Sequence, residues 1–476
     1  MPEKLSESRE ELSKGLLPAW HINMNNKDQS LELGRRDFLK GSSLSALMMM
    51  MGGVPLRAQN KPAAEPAANA PTVTVNCGVI GCGVWGREIL QTLARIPSAV
   101  VLGICDHYAP MLRRSQEAAP KAQKYTDYKE LLANKDIHSV IVATPTHQHR
   151  EVVLAALQAG KSVYCEAPLG HTIEEARVIA QAAKAAKKVN FQAGLQFRSD
   201  PQRHFLLGFI RSGAMGRTLF GRSQWHKKVS WRQVAGNPER ETEANWRLDK
   251  DVSTGLLGEI GLHQIDAASW FFLAKPVAVS AFGSVLHWTD GREIPDTVQA
   301  VYEYPNGIQF SYDCTLANSF DGDYEMYHGT DSAIMVRQSK AWMFKEVDAP
   351  LLGWEVFARK DGFYKETGIA LVANASKLSA QGDSEPPPFT NTPLSFALEA
   401  FLTNSDLIKT GVDEFASSFD INDTAALEKY LADIAKAKLP AAGYKEGYES
   451  VVSAIKGQEA MATHKRVTIP KELYDI

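Results

Sequence analysis

One short stretch restricts the fold more than any other. Gly81-Cys82-Gly83-Val84-Trp85-Gly86 stands between an apolar, β-branched run, Val73 to Ile80, and a helical run, Arg87 to Arg95. Alone, a G-x-G-x-x-G is weak. Between a strand and a helix, and ending twenty positions before Asp106, it reads as the dinucleotide-binding βα turn. The first glycine permits the tight turn, the second lets backbone approach a pyrophosphate, and the third lets helix and strand pack closely. The pyrophosphate then lies on the helix N-terminus, where free N–H groups and the dipole favour anions. Asp106 closes a second predicted strand, Val100 to Cys105, and no basic residue directly follows it. A carboxylate there accepts from the adenosine ribose hydroxyls and repels a 2'-phosphate, which favours NAD over NADP.

The alternation continues. Helical segments over Tyr128 to Ala133 and Glu151 to Gln158 flank a strand from Ser139 to Ala143, so the first part of the chain is α/β, a doubly wound parallel Rossmann sheet. Thr144, Pro145 and His149 follow that last strand, at the carboxyl end where ligands of open α/β sheets bind. We count them with Gly81, Gly83, Val84, Trp85, Gly86 and Asp106 as cofactor-binding candidates. Neither His147 nor His149 is assigned a catalytic role.

The chain has 476 residues, 44% of them hydrophobic, which is more than one core usually accommodates and implies two globular domains. A formal charge of -3 leaves no large basic field for a phosphate backbone, so nucleic acid is not expected as a partner. The five cysteines form no C-x-x-C pair, and four sit in or beside strand-like runs; they read as small apolar residues, not metal ligands.

The N-terminal segment reads as an address. Gly34-Arg35-Arg36-Asp37-Phe38-Leu39-Lys40, followed by a short apolar stretch from Leu44 to Val54, resembles a twin-arginine export signal. That stretch is too short to span a membrane, which takes about 20 residues. The expected organisation is a signal over 1–58, a linker over 59–72, a Rossmann domain over 73–194 and a substrate-binding and oligomerisation domain over 195–476. The expected location is periplasmic or otherwise extracytoplasmic, with the twin-arginine machinery as a partner. An exported enzyme has no pool of fresh NAD, so a retained cofactor has to be reoxidised in the same site.

In the C-terminal half, strands are expected over Val277 to Trp288, Thr297 to Tyr304 and Ile308 to Cys314, the last two joined by a Pro305-Asn306-Gly307 turn. Ala349 to Asn391 reads as an insertion or long loop. Helices are expected over Pro393 to Leu402, Thr424 to Lys438 and Tyr444 to Met461, beside the sheet or back on the Rossmann domain.

Ala143-Thr144-Pro145, His149, Ala159-Gly160-Lys161, Glu166-Ala167-Pro168 and Gly261-Leu262-His263-Gln264-Ile265-Asp266 together resemble the Gfo/Idh/MocA oxidoreductase family. The resemblance implies a C-terminal α/β domain built on a large, mostly antiparallel open sheet that covers the nicotinamide, and assembly as a dimer or tetramer. It adds Glu166 to the cofactor-binding candidates. The family's motifs also supply a lysine after that glutamate and an Asp four residues before the His. This chain has Ala167 and Glu259 at those places. What carries over is His263 as the catalytic base and Glu259 as its partner, with no catalytic lysine and no metal.

Gln196, Arg198, Trp246 and Arg247 are candidates for contacts to a carbohydrate substrate, because an aromatic face beside polar groups suits a pyranose. His226, followed by Lys227 and Lys228, is a weaker one. The reading these residues support is an NAD(P)-dependent oxidoreductase of a sugar or cyclitol hydroxyl, with NAD retained and recycled. Two alternatives stand beside it: a redox-neutral NAD-dependent glycosidase on the same fold, and a non-catalytic sugar-binding relative.

Overall fold

β1 (Val75–Ile80) is almost entirely buried, as a central parallel strand covered on both faces must be. The computed structural model describes residues 74–338, 340–350, 368–371 and 391–476. The expected leader and linker, and most of Ala349 to Asn391, lie outside the described residues. After β1 come α1 (Val84–Leu93), β2 (Ala99–Cys105), α2 (Ala109–Ser115), β3 (Gln123–Tyr125), α3 (Tyr128–Ala133), β4 (Ser139–Val142), α4 (His149–Gln158), β5 (Ser162–Cys165), α5 (Ile173–Ala185) and β6 (Phe191–Ala193). The six strands run parallel in the order β3-β2-β1-β4-β5-β6. The order reverses between β1 and β4, and the crevice beyond their carboxyl ends is where such a sheet binds ligands.

The chain then builds a second sheet. Its elements are α6 (Pro201–Arg211), β7 (Thr218–His226), α7 (Pro238–Ala244), α8 (Leu262–Phe272), β8 (Ala278–Ser284), β9 (Thr297–Glu303), β10 (Gln309–Thr315), β11 (Asp323–Gly329), β12 (Ser332–Arg337), β13 (Lys340–Lys345), β14 (Gly368–Leu371), α9 (Pro393–Ser418), α10 (Thr424–Ile434), α11 (Tyr444–Thr463) and β15 (Val467–Thr468). The nine strands follow the order β14-β13-β12-β11-β7-β10-β9-β8-β15. All pairs are antiparallel except β7 with β10. One face is covered by α8 and α11: Phe272 lies edge-on to Tyr304 and Tyr327, and Tyr302 beneath α11 donates to the Ser453 carbonyl. The other face leaves Phe220, Phe282 and Val301 exposed.

Alternation along β9 and β10 is legible in the sequence, and the turn between them places both Asn306 and Gly307 at positive φ, the left-handed geometry that a tight hairpin requires. Other expectations change. The strand expected from Val277 to Trp288 stops at Ser284. The Asp296 carboxylate accepts the backbone N–H groups of Leu286, His287 and Trp288 at 3.0, 2.8 and 2.9 Å, which draws the chain out of the ladder. The helix expected to end at Leu402 continues to Ser418, because Ile408 and Phe415 find a second apolar cluster with Leu427 and Leu431 of α10. Within the expected insertion, Gly368–Leu371 pairs with β13 and forms a sheet edge.

The first turns of α9 return to the Rossmann core. Leu394, Leu398, Phe401 and Leu402 join Val79, Ile89, Ile104 and Tyr164 in one buried cluster, and Gln192 Nε2 donates to the Ala397 carbonyl at 2.7 Å. All five cysteines are buried with free thiols. Burial pushes the Cys77 and Cys82 thiols up to about 12, so they act as small apolar side chains.

Candidate active site

The turn between β1 and α1 is shaped by contact distances. Gly81 has φ +97, and a Cβ there would meet the Ala143 carbonyl oxygen at 2.5 Å. A Cβ on Gly86 would stand 1.9 Å from the Gly81 oxygen, so helix and turn pack at a distance only glycine allows. At Gly83 nothing lies within 4 Å of a Cβ: this backbone faces open space. Gly83 is also the N-cap of α1 and caps it with no side chain, leaving first-turn N–H groups available to an anion. Val84 and Trp85 are exposed at that N-terminus.

Asp106 braces the turn from β2. Its Oδ2 accepts from Cys82 N at 2.9 Å and its Oδ1 from Tyr108 N at 2.8 Å, which fixes the carboxylate beside the cleft with lone pairs to spare. Among the polar atoms at the same sheet end that are buried without a hydrogen-bond partner are Thr144 Oγ1 and Glu166 Oε1. Orphaned buried groups are uncommon in folded proteins, and a ligand-binding crevice is one place for them. Burial pushes the Glu166 carboxyl up to about 7, against the opposing pull of the Trp85 side chain, the Ala167 N–H and Tyr164. These residues fit a dinucleotide: a pyrophosphate cradle, a ribose acceptor and unsatisfied polar groups towards the middle of the sheet.

His149 is placed differently from the expectation. It is fully buried, with Nδ1 2.8 Å from the Pro168 carbonyl and Nε2 3.0 Å from the Thr144 carbonyl. Burial pushes its imidazole down to about 4, and a neutral ring carries one N–H for two carbonyls. Its ring ties the loop after β4 to the segment after β5; it shapes the crevice instead of touching what enters. Lys161 is likewise occupied, donating to the carbonyls of Asn134 and Ile137.

Across the crevice, residues Leu257–Gly261 form one turn of wide π-helix before α8 begins. Such turns are frequent at functional sites. The Glu259 carboxylate is buried and accepts from Thr146 Oγ1 at 3.2 Å and Thr254 Oγ1 at 2.7 Å, with Arg247 Nε 3.5 Å away. His263 is not its partner, in contrast to the expected pairing. The wide turn changes how positions four apart are rotated, and Glu259 faces the threonines. The half-buried His263 ring meets the edge of Phe197 at 6.2 Å, and among the described residues neither ring nitrogen has a hydrogen-bond partner. Burial pushes His263 down to about 4, so it is neutral at pH 7 and presents a lone pair.

Of the four substrate candidates, Trp246 and Arg247 do reach this place. Trp246 lies edge-on to His147 at 5.9 Å, and the Arg247 guanidinium lies 4.6 Å from the Trp246 ring centre and 5.9 Å from that of Trp231. Arg198 is held elsewhere, in a two-bonded ion pair with Asp266 at 2.9 and 2.8 Å, over the Trp270 ring. That charge-assisted, two-point pair occupies two of its guanidinium nitrogens. Gln196 precedes it on the same short turn and makes no side-chain hydrogen bond among the described residues. His226 is bonded to Asp313 at 2.6 Å on the second sheet. Thr146 and Thr254, which hold Glu259, were not singled out in the sequence: they lie 113 and 5 positions from it, and a threonine carries no signal of its own.

Comparison with known proteins agrees with this geometry. Residues 75–195 match the model of the oxidoreductase family with an NAD-binding Rossmann fold, and residues 207–334 match the GFO/IDH/MocA C-terminal domain. Together the two matches account for more than half of the chain. It belongs to the GFO/IDH/MocA family. Its first domain is an NAD-binding Rossmann domain. Among relatives, a levoglucosan dehydrogenase of Pseudarthrobacter phenanthrenivorans is 27% identical over 294 residues, 55% of this chain and 73% of that one. An inositol 2-dehydrogenase of Salmonella typhimurium is 34% identical over 195 residues, 38% of this chain and 57% of the relative. A glycosyl hydrolase family 109 protein of Shewanella pealeana is 28% identical over 219 residues, 42% of this chain and 48% of the relative. The fold is also that of an oxidoreductase domain protein from Kribbella flavida, with TM-score 0.63 at 18% identity over 84% of this chain and 100% of the other. A levoglucosan dehydrogenase solved with NADH gives TM-score 0.61 at 21% identity over 83% of this chain and 99% of that one.

Proposed function

We propose that this oxidoreductase acts on a hydroxyl of a sugar or cyclitol, keeps its NAD through turnover and recycles it in place between two substrates. The observation that carries the reading is His263: a neutral imidazole without a hydrogen-bond partner, one turn beyond Glu259, which Thr146 ties to the carboxyl end of β4. NAD, when bound, supplies the hydride acceptor. His263 takes the hydroxyl proton of the substrate as the carbinol carbon is oxidised. Glu259, Thr146, Thr254 and Arg247 hold the π-turn that aims His263. Trp246 offers a flat face, and Gln196 a free amide, to the sugar ring. Ala167 leaves the site without the cationic donor of the usual motif, a loss that costs roughly 10²–10³ in rate.

Two features outside the site belong to the same proposal. The Arg35-Arg36 leader supports export through the twin-arginine pathway to an extracytoplasmic location. The exposed Phe220, Phe282 and Val301 on the open sheet face support a homodimer or tetramer assembled through it.

His263→Ala tests the reading. It is expected to lower product formation by roughly 10²–10⁴ while NAD binding, measured by calorimetry, stays within a factor of two or so of the parent. Unchanged product formation overturns the assignment. A second reading is favoured by the family 109 relative and by Ala167: a redox-neutral glycosidase in which transient oxidation allows elimination of the aglycone. Release of aglycone from simple glycosides, with no net oxidised product, selects it.

A further inference from the structure

Residues 233–245 leave the second domain and reach back to the first. The neck of this excursion is tied by Asn245, which is buried: its Oδ1 accepts Gln233 N at 2.7 Å, and its Nδ2 donates to the carbonyls of Gln233 and Glu241, both at 2.8 Å. The tip is α7, started by Asn237, whose Oδ1 accepts Arg240 N at 2.8 Å, and by Pro238. Its sequence, PERETEA, buries no residue at all. Core packing therefore does not explain why α7 lies where it does. Its contacts do: Glu243 Oε2 is 3.1 Å from His107 Nε2, and the Arg240 guanidinium sits 4.3 Å from the centre of the Tyr108 ring. Arg240 Nη1 also bonds Glu243 Oε2 at 3.0 Å, closing the set.

His107 and Tyr108 directly follow Asp106, the acceptor for the adenosine ribose. Beyond the neck, the same excursion continues into Trp246 and Arg247 at the substrate end of the crevice. We propose that α7 is a clasp on the bound nucleotide: it closes over the adenosine end of the cleft, so NAD leaves only after α7 lifts. This rests on the NAD-binding reading of Asp106 and supplies a physical means for the retention proposed above. The neck is held by buried hydrogen bonds, while the tip is held by contacts at the surface, the Glu243–His107 hydrogen bond, the Arg240–Tyr108 cation–π contact and the Glu241–Arg232 pair, so the tip is the part that moves. Exposed pairs of this kind contribute little individually, and the clasp therefore slows release instead of locking the cofactor in.

The test loads the full-length protein with NAD, dilutes it, and follows bound NAD by rapid filtration for the parent and for Arg240→Ala/Glu243→Ala. The double variant is expected to release NAD about tenfold faster, equivalent to about 1.4 kcal/mol, with the melting temperature of the cofactor-free protein unchanged. Identical release rates overturn the clasp, and so does a lowered cofactor-free melting temperature with unchanged release, which marks a plain domain contact. A parent protein that binds no NAD at all fails differently: it removes the NAD-binding reading and the clasp with it. Glu243→Gln, which keeps a hydrogen bond to His107 and loses the charge, is expected to fall between the two rates.

Discussion

Thr146 donates its hydroxyl hydrogen to Glu259 at 3.2 Å, joining the loop at the carboxyl end of β4 to the π-turn that precedes His263. One bond thus sets a residue of the NAD-binding sheet against the π-turn of the second domain. Thr146→Val keeps the shape and removes the donor. The expected result is a loss of about 1 kcal/mol in stability and a fall in kcat several-fold larger than any change in KM. Steady-state kinetics with a melting curve checks it; a change confined to KM contradicts a positioning role.

Glu166 gives the site a pH signature. Its folded value is raised from 4.5 to about 7 by burial, so between those values the folded protein holds a proton that the unfolded chain has lost. Stability therefore falls as pH rises from about 4.5 to about 7, by about 3 kcal/mol at 1.36 kcal/mol per unit. Glu166→Gln removes the effect. Its stability relative to the parent is expected to rise between pH 5 and pH 8, as read by urea denaturation. Parallel curves contradict the assignment.

His149 acts in the opposite sense. Its folded value is lowered from 6.5 to about 4, so the unfolded chain binds the extra proton between those values and stability rises with pH across that window. The parent is expected to lose stability on acidification from pH 6.5 towards 4, and His149→Gln to lose less of it. An equal loss in both, measured by the same denaturation series, places the acid sensitivity elsewhere.

Gly86→Ala is expected to abolish NAD binding, because its Cβ would stand 1.9 Å from the Gly81 oxygen and force the turn open. Asp106→Ala is milder: it frees the N–H groups of Cys82 and Tyr108 and removes the carboxylate expected to accept from the ribose. NAD affinity is expected to fall by about tenfold or more, at roughly 1.5–3 kcal/mol for hydrogen bonds to a charged group, and the preference over NADP to narrow. Calorimetric titration with both nucleotides reads each outcome.

Phe401 tests the return of α9 to the first domain. It is fully buried, with its ring 5.7 Å from that of Tyr164. Phe401→Ala is expected to destabilise the protein by about 3–5 kcal/mol and, since the cavity opens beneath the parallel sheet, to weaken NAD binding as well. A loss below about 1 kcal/mol contradicts the shared core.

The Rossmann half was legible because its signals are local: a β-branched run, three spaced glycines and an acid at the end of the next strand. The β9–β10 hairpin was legible for the same reason, through Asn306 and Gly307. What escaped depends on distant partners. Nothing near Val285 shows that Asp296 will take three of the following N–H groups and end a strand. Nothing near Arg198 shows that Asp266 will hold it, or that His149 will be buried between two carbonyls. In the site, the family resemblance implied Glu259 as the partner of His263; the π-turn between them sets it against Thr146 and Thr254 instead.

The most direct test follows reduced nicotinamide by its near-ultraviolet absorbance when NAD-loaded protein is mixed with sugars and cyclitols, with the products of both substrates then identified. Reduction of bound cofactor by one substrate, reversed on adding a second, with matched oxidised and reduced products and loss of the signal in His263→Ala, is the predicted result. Bound NAD that no hydroxylated substrate reduces, or product formation that persists without His263, contradicts the account.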